Sequence, residues 1–396
     1  MENSHFSMFR TYKYRLKPTK TQAATLESWL QVTRELYNAA LEERRDAWRK
    51  QRKSISRFDQ QAQIAEIRRE RQDAANVPIV ALRGVLRRIE LAFQDFFRRC
   101  KAGEKLGYPR FKSARRWDSF IFENACDPKL IDGKRIKIPF LGKIRVSLHR
   151  PLEGTPKTLK LKRSVGKWYV LIGCEDVLAK PLPATGTEVG IDLGLTHFVA
   201  TSDGELFDNP RPLRTARLVL ERAQRRVSRR KKGSNRRRKA VALLAKHHAR
   251  VANIRREHHI RVARSLVARY DVVHVEKLNI DGLVKSALSK HIYDAGWSSF
   301  RHWLDCKAEE AGRRVIEKDP RGTSQMCSAC GAVEKKTLAV RVHRCGGCGF
   351  VENRDVNAAI NILRAGPARR PEAPACRGPR RPEKSASDAQ KASFGG

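Results

Sequence analysis

Acid is what this sequence is short of: 42 Asp and Glu stand against 83 Lys and Arg, a formal net charge of +41. Like charges at that density repel one another in a compact state, so the imbalance does nothing for folding. A merely soluble surface needs a far smaller excess. A polyanion, whose phosphates release condensed counterions when neutralised, is the partner that such a surplus serves. Long apolar runs are missing too. No stretch is long enough to span a bilayer, and the opening residues, MENSHFSMFRTYKYRL, are polar and basic with no apolar signal region. Both absences predict a cytoplasmic, nucleic-acid-binding chain with no membrane role. A disulfide framework is disfavoured as well. The nine cysteines are odd in number, and Cys100, Cys126, Cys174, Cys306 and Cys376 lie scattered along the chain.

What is present has a clear order, and 396 residues are enough to bury two or three cores. Residues 9–17, FRTYKYRLK, alternate apolar or aromatic with basic side chains and predict a strand with one wet, positive face. Pro18 and Thr19 then signal a helix start, with Leu26, Leu30, Leu36, Ala40 and Trp48 marking an amphipathic helical region. A second helical segment, 78–100, stacks Val80, Val85, Ile89, Phe93 and Phe97 into a core-facing stripe. Residues 105–180 hold short alternating strands (RIKIPF, KIRVSL, TLKLKRS, KWYVLIGCE) parted by Gly and Pro, the pattern of a small barrel. At its start Arg110, Lys112, Arg115, Arg116 and Trp117 interleave charge with aromatics, as a nucleic-acid surface or an ordinary solvated strand face does.

The segment AKPLPATGTE, 179–188, reads as an interdomain linker. Residues 213–268 follow a helical pattern broken by SRRKKGSNRRRK at 228–239. Arg229, Arg230, Lys231, Lys232, Arg236, Arg237 and Arg238 crowd that break, which predicts a basic helical hairpin gripping phosphates. After Leu363 the chain is rich in Pro, Arg, Ala and Ser with almost no large apolar residue, and disorder is expected there.

The remaining cysteines, Cys327, Cys330, Cys345 and Cys348, form C-x2-C-x14-C-x2-C. Two close pairs on tight knuckles, CSAC and CGGC, can present four thiolates tetrahedrally to Zn²⁺, a better account of the spacing than disulfides. Seven residues past Cys348 stands Asp355, where VNAAINIL opens a helix. Two more acids sit in apolar strand patterns: Asp192 in EVGIDLG and Glu276 at the end of VVHVE. An acid in an apolar strand is costly unless it is solvated, paired or bound to metal. Asp355 alone reads equally as a helix cap. Brought together, three such carboxylates would hold Mg²⁺ and leave coordination positions open. Two ions about 4 Å apart would activate a water and stabilise the leaving oxygen of a phosphodiester. Strand, strand and helix each carrying one acid is the plan of RNase H-like nucleases.

The segments GIDLGLTHFVATSDG, VVHVEKLNI, DAGWSSF, SQMCSACG, LAVRVHRCGGCG and NRDVNAAINIL resemble the RuvC-type nuclease segments of the TnpB family, encoded by bacterial and archaeal insertion sequences. YKYRLKPTKTQ and GYPRFKS extend the likeness, which runs from about residue 9 to 364. The resemblance implies a multidomain α+β and α/β protein. Residues 1–18 would be the first strand of an amino-terminal β-barrel, 19–104 a helical recognition domain inserted in it, and 105–182 the wedge-like barrel. Residues 183–325 would form an RNase H-like (RuvC) nuclease with the basic helical insertion, 326–349 the inserted four-cysteine zinc ribbon, 350–364 the closing nuclease helix and 365–396 a disordered basic tail. It also implies an RNA-guided DNA endonuclease with Asp192, Glu276 and Asp355 as its catalytic triad, acting on double-stranded DNA beside a short motif and guided by RNA from the element's end. Magnesium, two ions per site, would serve catalysis and Zn²⁺ the structure, in a bacterial or archaeal, nucleoid-associated setting. Many members carry Asp two positions before the third acid, where this chain has Asn353. Two other readings remain: an RNA-guided DNA-binding regulator without cleavage, and a transposase or accessory transposition protein.

Overall fold

A computed structural model describes residues 7–104, 107–123, 131–283, 288–319, 322–334, 336 and 340–366. Cys126, Cys376 and the tail from 367 onward, where disorder was expected, lie outside the described residues. The chain divides into two compact units, Met1–Leu178 and Ala179–Gly396. Among the described residues no helix is long and apolar enough to cross a membrane.

In the first unit, β1 (Ser7–Lys17) buries Tyr12, Tyr14 and Leu16 and exposes the intervening basic residues. Helix α1 (Lys20–Gln51) starts at a reciprocal cap, in which the Thr19 hydroxyl accepts from the Gln22 N–H and the Gln22 side chain accepts from the Thr19 N–H. Short helices α2 (Arg57–Ala62), α3 (Ile64–Glu70) and α4 (Gln72–Ala75) lead to α5 (Ile79–Lys101). Then come β2 (Ser119–Glu123), β3 (Ile131–Asp132), β4 (Arg135–Ile138), β5 (Gly142–Ser147), β6 (Thr155–Ser164) and β7 (Lys167–Leu178).

All seven strands form one antiparallel sheet in the order β2-β6-β7-β1-β5-β4-β3. It is an open, curled half-barrel and not the closed barrel expected from the strand pattern. The reason is steric: Leu26, Trp29, Leu82, Val85 and Ile89 of α1 and α5 share one core with Tyr14, Ile144, Leu161 and Val170 of the sheet, so the helices fill what closure would enclose. The helical stripes are shorter than their sequence patterns. Trp48 and Phe97, near the carboxyl ends of α1 and α5, are 54% and 55% exposed. Trp117 also departs from expectation. It is 1% exposed, donates its indole N–H to Thr33 Oγ1 at 2.9 Å and packs at a tilt against the Tyr37 ring, so it belongs to the core and not to a nucleic-acid surface.

The second unit begins with the segment read as a linker, which is tied down along its length. The Lys180 and Leu182 N–H groups donate to the carbonyls of Glu310 and Ala311, and Arg313 donates to the Pro183 carbonyl at 2.6 Å. Next are β8 (Glu188–Asp192), β9 (His197–Thr201), β10 (Leu206–Asp208), α6 (Pro212–Ser228), α7 (Asn235–Arg269), β11 (Val272–Glu276), α8 (Ile280–Leu283), α9 (Ser289–Ala295), α10 (Trp297–Ala311) and β12 (Arg314–Lys318). The hairpin β13 (Val342–Arg344) and β14 (Val351–Asn353) precedes α11 (Arg354–Arg364).

The central sheet runs β10-β9-β8-β11-β12, antiparallel on the β10 side and parallel from β8 to β12. Strand alternation sorts its faces. Val189, Ile191, Val273 and Val275 share a core with Val262, Leu266, Phe300 and Leu304 of α7 and α10. The opposite face, through Gly190, receives α11. A side chain on Gly190 would begin 2.1 Å from the Ala359 carbonyl oxygen and 2.7 Å from the Leu363 nitrogen, so only glycine lets that helix touch the strand. Gly190→Ala should therefore cost about 3 kcal/mol or more through overpacking. Thermal unfolding checks this, and an unchanged melting temperature would mean that α11 does not rest on β8.

Candidate active site and metal centre

The same alternation that turns Gly190 toward α11 turns Asp192 there, since both face away from Val189 and Ile191. Glu276 shares that face by the same rule applied to Val273 and Val275. The parallel register pairs Val275 with Ile191, so Glu276 and Asp192 come one position later on neighbouring strand ends. Asp355 arrives from the first turn of α11. It is not the cap: Asn353 holds that position, its Oδ1 accepting from the N–H groups of Asp355 at 2.9 Å and Val356 at 3.4 Å. The capping reading of Asp355 thus passes to Asn353, and the Asp355 carboxylate is left to point elsewhere. Its Oδ2 lies 3.7 Å from where a Gly194 side chain would begin, just past Asp192 in the chain.

The electrostatics register this convergence. Burial, then the charges of Glu276 and Asp355, push the Asp192 carboxyl up to about 8, against the opposing pull of Arg354 and the Leu193 N–H. Burial also raises Glu276, opposed by the Thr323 hydroxyl, which donates to Glu276 Oε1 at 3.2 Å. The Asp192 carboxylate therefore feels two other acids, Glu276 from the neighbouring strand and Asp355 from a distant segment, across one partly buried space. A divalent cation, with its preference for several carboxylate oxygens, matches that space in charge and donor type.

The four cysteines of the two knuckles also meet. Their sulfurs all lie within 4.8 Å of one another, with Cys327–Cys348 at 3.8 Å and Cys330–Cys345 at 3.5 Å. A disulfide needs about 2.05 Å, so these are thiols arranged around a common centre as a metal-binding cluster. The knuckles are near copies. In each, the first cysteine's carbonyl accepts from a glycine N–H four residues on, Gly331 or Gly349, and its N–H donates to a carbonyl five residues on, Ala332 or Phe350. Both glycines adopt positive φ, 80° and 72°, which closes the turn without strain. N–H groups of Cys348 and Gly347 aimed at its sulfur hold the Cys345 thiol down to about 7, while, against the pull of the Phe350 N–H, the neighbouring sulfurs push the Cys348 thiol up to about 12. From the second knuckle the chain passes through β14 straight into Asn353 and α11. The metal knuckle and Asp355 adjoin in sequence because one builds the approach to the other.

The basic candidates fall in both units. In the first, Arg110, Arg115 and Arg116 are exposed, while Lys112 is half-buried over the Tyr37 ring with its N–H bonded to Asn38 Oδ1 at 2.8 Å. In the second, Arg229, Arg230, Lys231, Lys232, Arg236, Arg237 and Arg238 surround the turn between α6 and α7. Arg237 braces that turn by donating to the Val227 carbonyl at 2.6 Å, which leaves it less free than its neighbours. Arg222, Arg225 and Arg226, not singled out by the sequence reading, join Arg229 and Arg230 in lining a cleft of about 720 Å³. Their recurrence at helical spacing on α6 was the available signal.

Folding raises the Asp192 pKa, so the native state keeps a proton that the unfolded chain releases near pH 4. The associated stability is complete below that pH and is lost as pH rises toward about 8. In magnesium-free buffer, raising pH from about 5.5 to about 8.5 should lower the melting temperature more in the native sequence than in Asp192→Asn, which has no proton to lose. Equal falls would show that Asp192 ionises without hindrance.

Comparison with known proteins bears on all of this. A family model described as "Probable transposase" matches residues 165–287, and one described as "Cas12f1-like, TNB domain" matches residues 297–362. A "Helix-turn-helix domain" model matches residues 8–53, which here are one strand and one long helix, β1 and α1. A "Putative RNA-guided DNA endonuclease" of Streptomyces pristinaespiralis is 36% identical over 96% of this chain and 93% of its own length. "Putative RNA-guided DNA endonuclease InsQ" of Escherichia coli K12 is 29% identical over 91% of this chain and 92% of its own length. The solved Cas12f1–sgRNA–target DNA complex shares the fold, with a TM-score of 0.56 and 14% identity over 90% of this chain and 99% of that one. Similar along nearly its whole length to the Streptomyces protein, the chain belongs to the TnpB family of transposon-encoded RNA-guided DNA endonucleases.

Proposed function

We propose that this protein is an RNA-guided DNA endonuclease that hydrolyses DNA phosphodiesters at a site formed by Asp192, Glu276 and Asp355. What supports the reading is that Asp192 and Glu276 share one sheet face on neighbouring strand ends, with Asp355 on the helix packed against that face, so that Glu276 and Asp355 raise the Asp192 pKa. The strand order β10-β9-β8-β11-β12, antiparallel then parallel, with α11 across β8, suits an RNase H-like (RuvC) nuclease. Magnesium held by the triad would supply an activated water and stabilise the leaving oxygen. Asp192 and Glu276 contribute fixed oxygens from strand ends, and Asp355 contributes a third from a helix start whose N–H groups Asn353 already satisfies. Asn353 thus fills a capping role that Asp would fill equally, and the departure from the family pattern leaves the site intact.

The four-cysteine cluster suits structural zinc: Zn–S bonds of about 2.3 Å in a tetrahedron put neighbouring sulfurs about 3.8 Å apart, and two sulfur pairs stand at 3.8 Å and 3.5 Å. The partners would be a guide RNA from the transposon end and a double-stranded DNA target. Arg110, Arg115, Arg116 and the arginines of the α6 cleft would hold phosphates, while base pairing with the RNA reads sequence. The presence of all three acids favours this reading over a cleavage-deficient regulator.

Asp192→Ala, Glu276→Ala and Asp355→Ala should each lower cleavage by at least about a thousandfold while guided DNA binding stays within about threefold, because the acids hold cations and the basic surfaces hold phosphates. Replacing the guide segment of the RNA should redirect cutting to any matching DNA beside the same short motif. Cut sites indifferent to the guide would refute RNA guidance, and full cleavage by Asp355→Ala would move the third ligand elsewhere. Metal analysis should find about one Zn²⁺ per chain, falling in Cys345→Ser together with folded yield. Active protein without zinc would rule out that assignment.

A further inference from the structure

Thr323, Asn357 and Asn361 are not among the cation ligands proposed above, yet they are 3%, 0% and 2% exposed. A buried amide is retained only where its hydrogen bonds are made, and here they all lead to one place. Asn357 Oδ1 accepts from the Ser328 N–H at 2.9 Å, and Asn357 Nδ2 donates to the Met326 carbonyl at 2.8 Å. One turn later Asn361 Nδ2 donates to the same Met326 carbonyl at 2.7 Å and to the Thr323 carbonyl at 2.9 Å. Arg364 adds a bond to the Ser328 carbonyl. The stretch 323–328 is thus laced along one face of α11, while the other face of that helix rests on Gly190.

The same short stretch has two further attachments. Cys327 lies within it and belongs to the four-sulfur cluster, with Ser328 inside the first knuckle. At its other end the Thr323 hydroxyl donates to Glu276 Oε1. One backbone segment therefore touches the metal knuckle, the helix that carries Asp355 and the side chain of Glu276. A glutamate on a strand end has rotamers to lose before it can serve as a ligand, and a fixed hydroxyl on one oxygen removes much of that freedom in advance.

We propose that Thr323, Asn357 and Asn361 are positioning residues that couple the four-cysteine site to the carboxylate cluster: metal in the knuckles fixes the stretch 323–328, and that stretch fixes where Glu276 and Asp355 meet a cation. The inference rests on the reading of Asp192, Glu276 and Asp355 as cation ligands, and its test separates the two.

The experiment uses the RNA-free full-length chain, with Mn²⁺ as the probe. Mn²⁺ affinity is measured by electron paramagnetic resonance and zinc content by atomic absorption. Thr323→Val keeps the side-chain shape without the hydroxyl, Thr323→Ser keeps the hydroxyl, and Asn361→Leu removes both donors to the stretch. Thr323→Val should bind Mn²⁺ about tenfold more weakly at unchanged zinc content, as loss of a hydrogen bond to a carboxylate predicts. Thr323→Ser should restore binding to within about twofold, a rescue that a packing role alone would not give. Asn361→Leu should weaken Mn²⁺ binding through a different contact, which keeps the idea testable should one variant fold poorly. Unchanged Mn²⁺ binding in zinc-replete Thr323→Val and Asn361→Leu overturns the coupling. Asp192→Ala is the reference: if it too leaves Mn²⁺ binding unchanged, the carboxylate reading has failed, whereas loss there alone sinks only the coupling.

Discussion

Burial of the Asp192 carboxylate beside Glu276 and Asp355 is the constraint around which the central sheet of the second unit is arranged. Burial and the neighbouring charges of Glu276 and Asp355 drive the Asp192 carboxyl up to about 8. Holding them together requires elements that cannot yield. Two are adjacent strand ends in a parallel register, whose inner faces are locked by Val189, Ile191, Val273 and Val275 against α7 and α10. The third is a short helix pressed onto β8 where Gly190 offers no side chain. Each of these is a packing device that keeps the acids near one another.

Helix α11 is too short to be stable alone, at 11 residues, so its position must come from its surroundings. Its two faces are served differently. Toward the sheet it makes backbone-close apolar contact through Ala359 and Leu363. Toward the cysteine segment it offers amides, Asn357 and Asn361, whose hydrogen bonds are directional where apolar packing is not. A helix held by both cannot easily slide or rotate, so the position of Asp355 in its first turn is fixed from two sides.

Positive charge gathers at one stretch in each unit. On α6 the arginines that line the cleft recur on one face, and the turn between α6 and α7 is braced internally by Arg237, so the surface is presented on a defined support. In the first unit the exposed Arg110, Arg115 and Arg116 sit beside a buried Trp117, and the aromatic member of that motif anchors the loop instead of stacking on a base. Surfaces of this kind suit binding by phosphate contact, in which position is fixed without reading sequence.

The sequence by itself determined the local matters. Alternation in FRTYKYRLK and EVGID gave strands and told which residues face which side, because the period of a strand is a property of the backbone. The cysteine spacing told of two knuckles, because four thiolates at that spacing have few other uses. Where local signals misled, a tertiary contact had intervened: Trp117 is claimed by Thr33 and Tyr37, and the half-barrel stays open because α1 and α5 fill it. Convergence of the acids could be expected from sequence only through the family likeness, since Asp192, Glu276 and Asp355 span 163 positions and nothing between them encodes a distance. What only the tertiary structure decided is how they are held. Asn357 and Asn361 read as two polar residues in an Ala-rich helix until the fold sets the carbonyls of Met326 and Thr323 against them, because a hydrogen-bond partner across about thirty residues is chosen by packing and not by the residue that needs it.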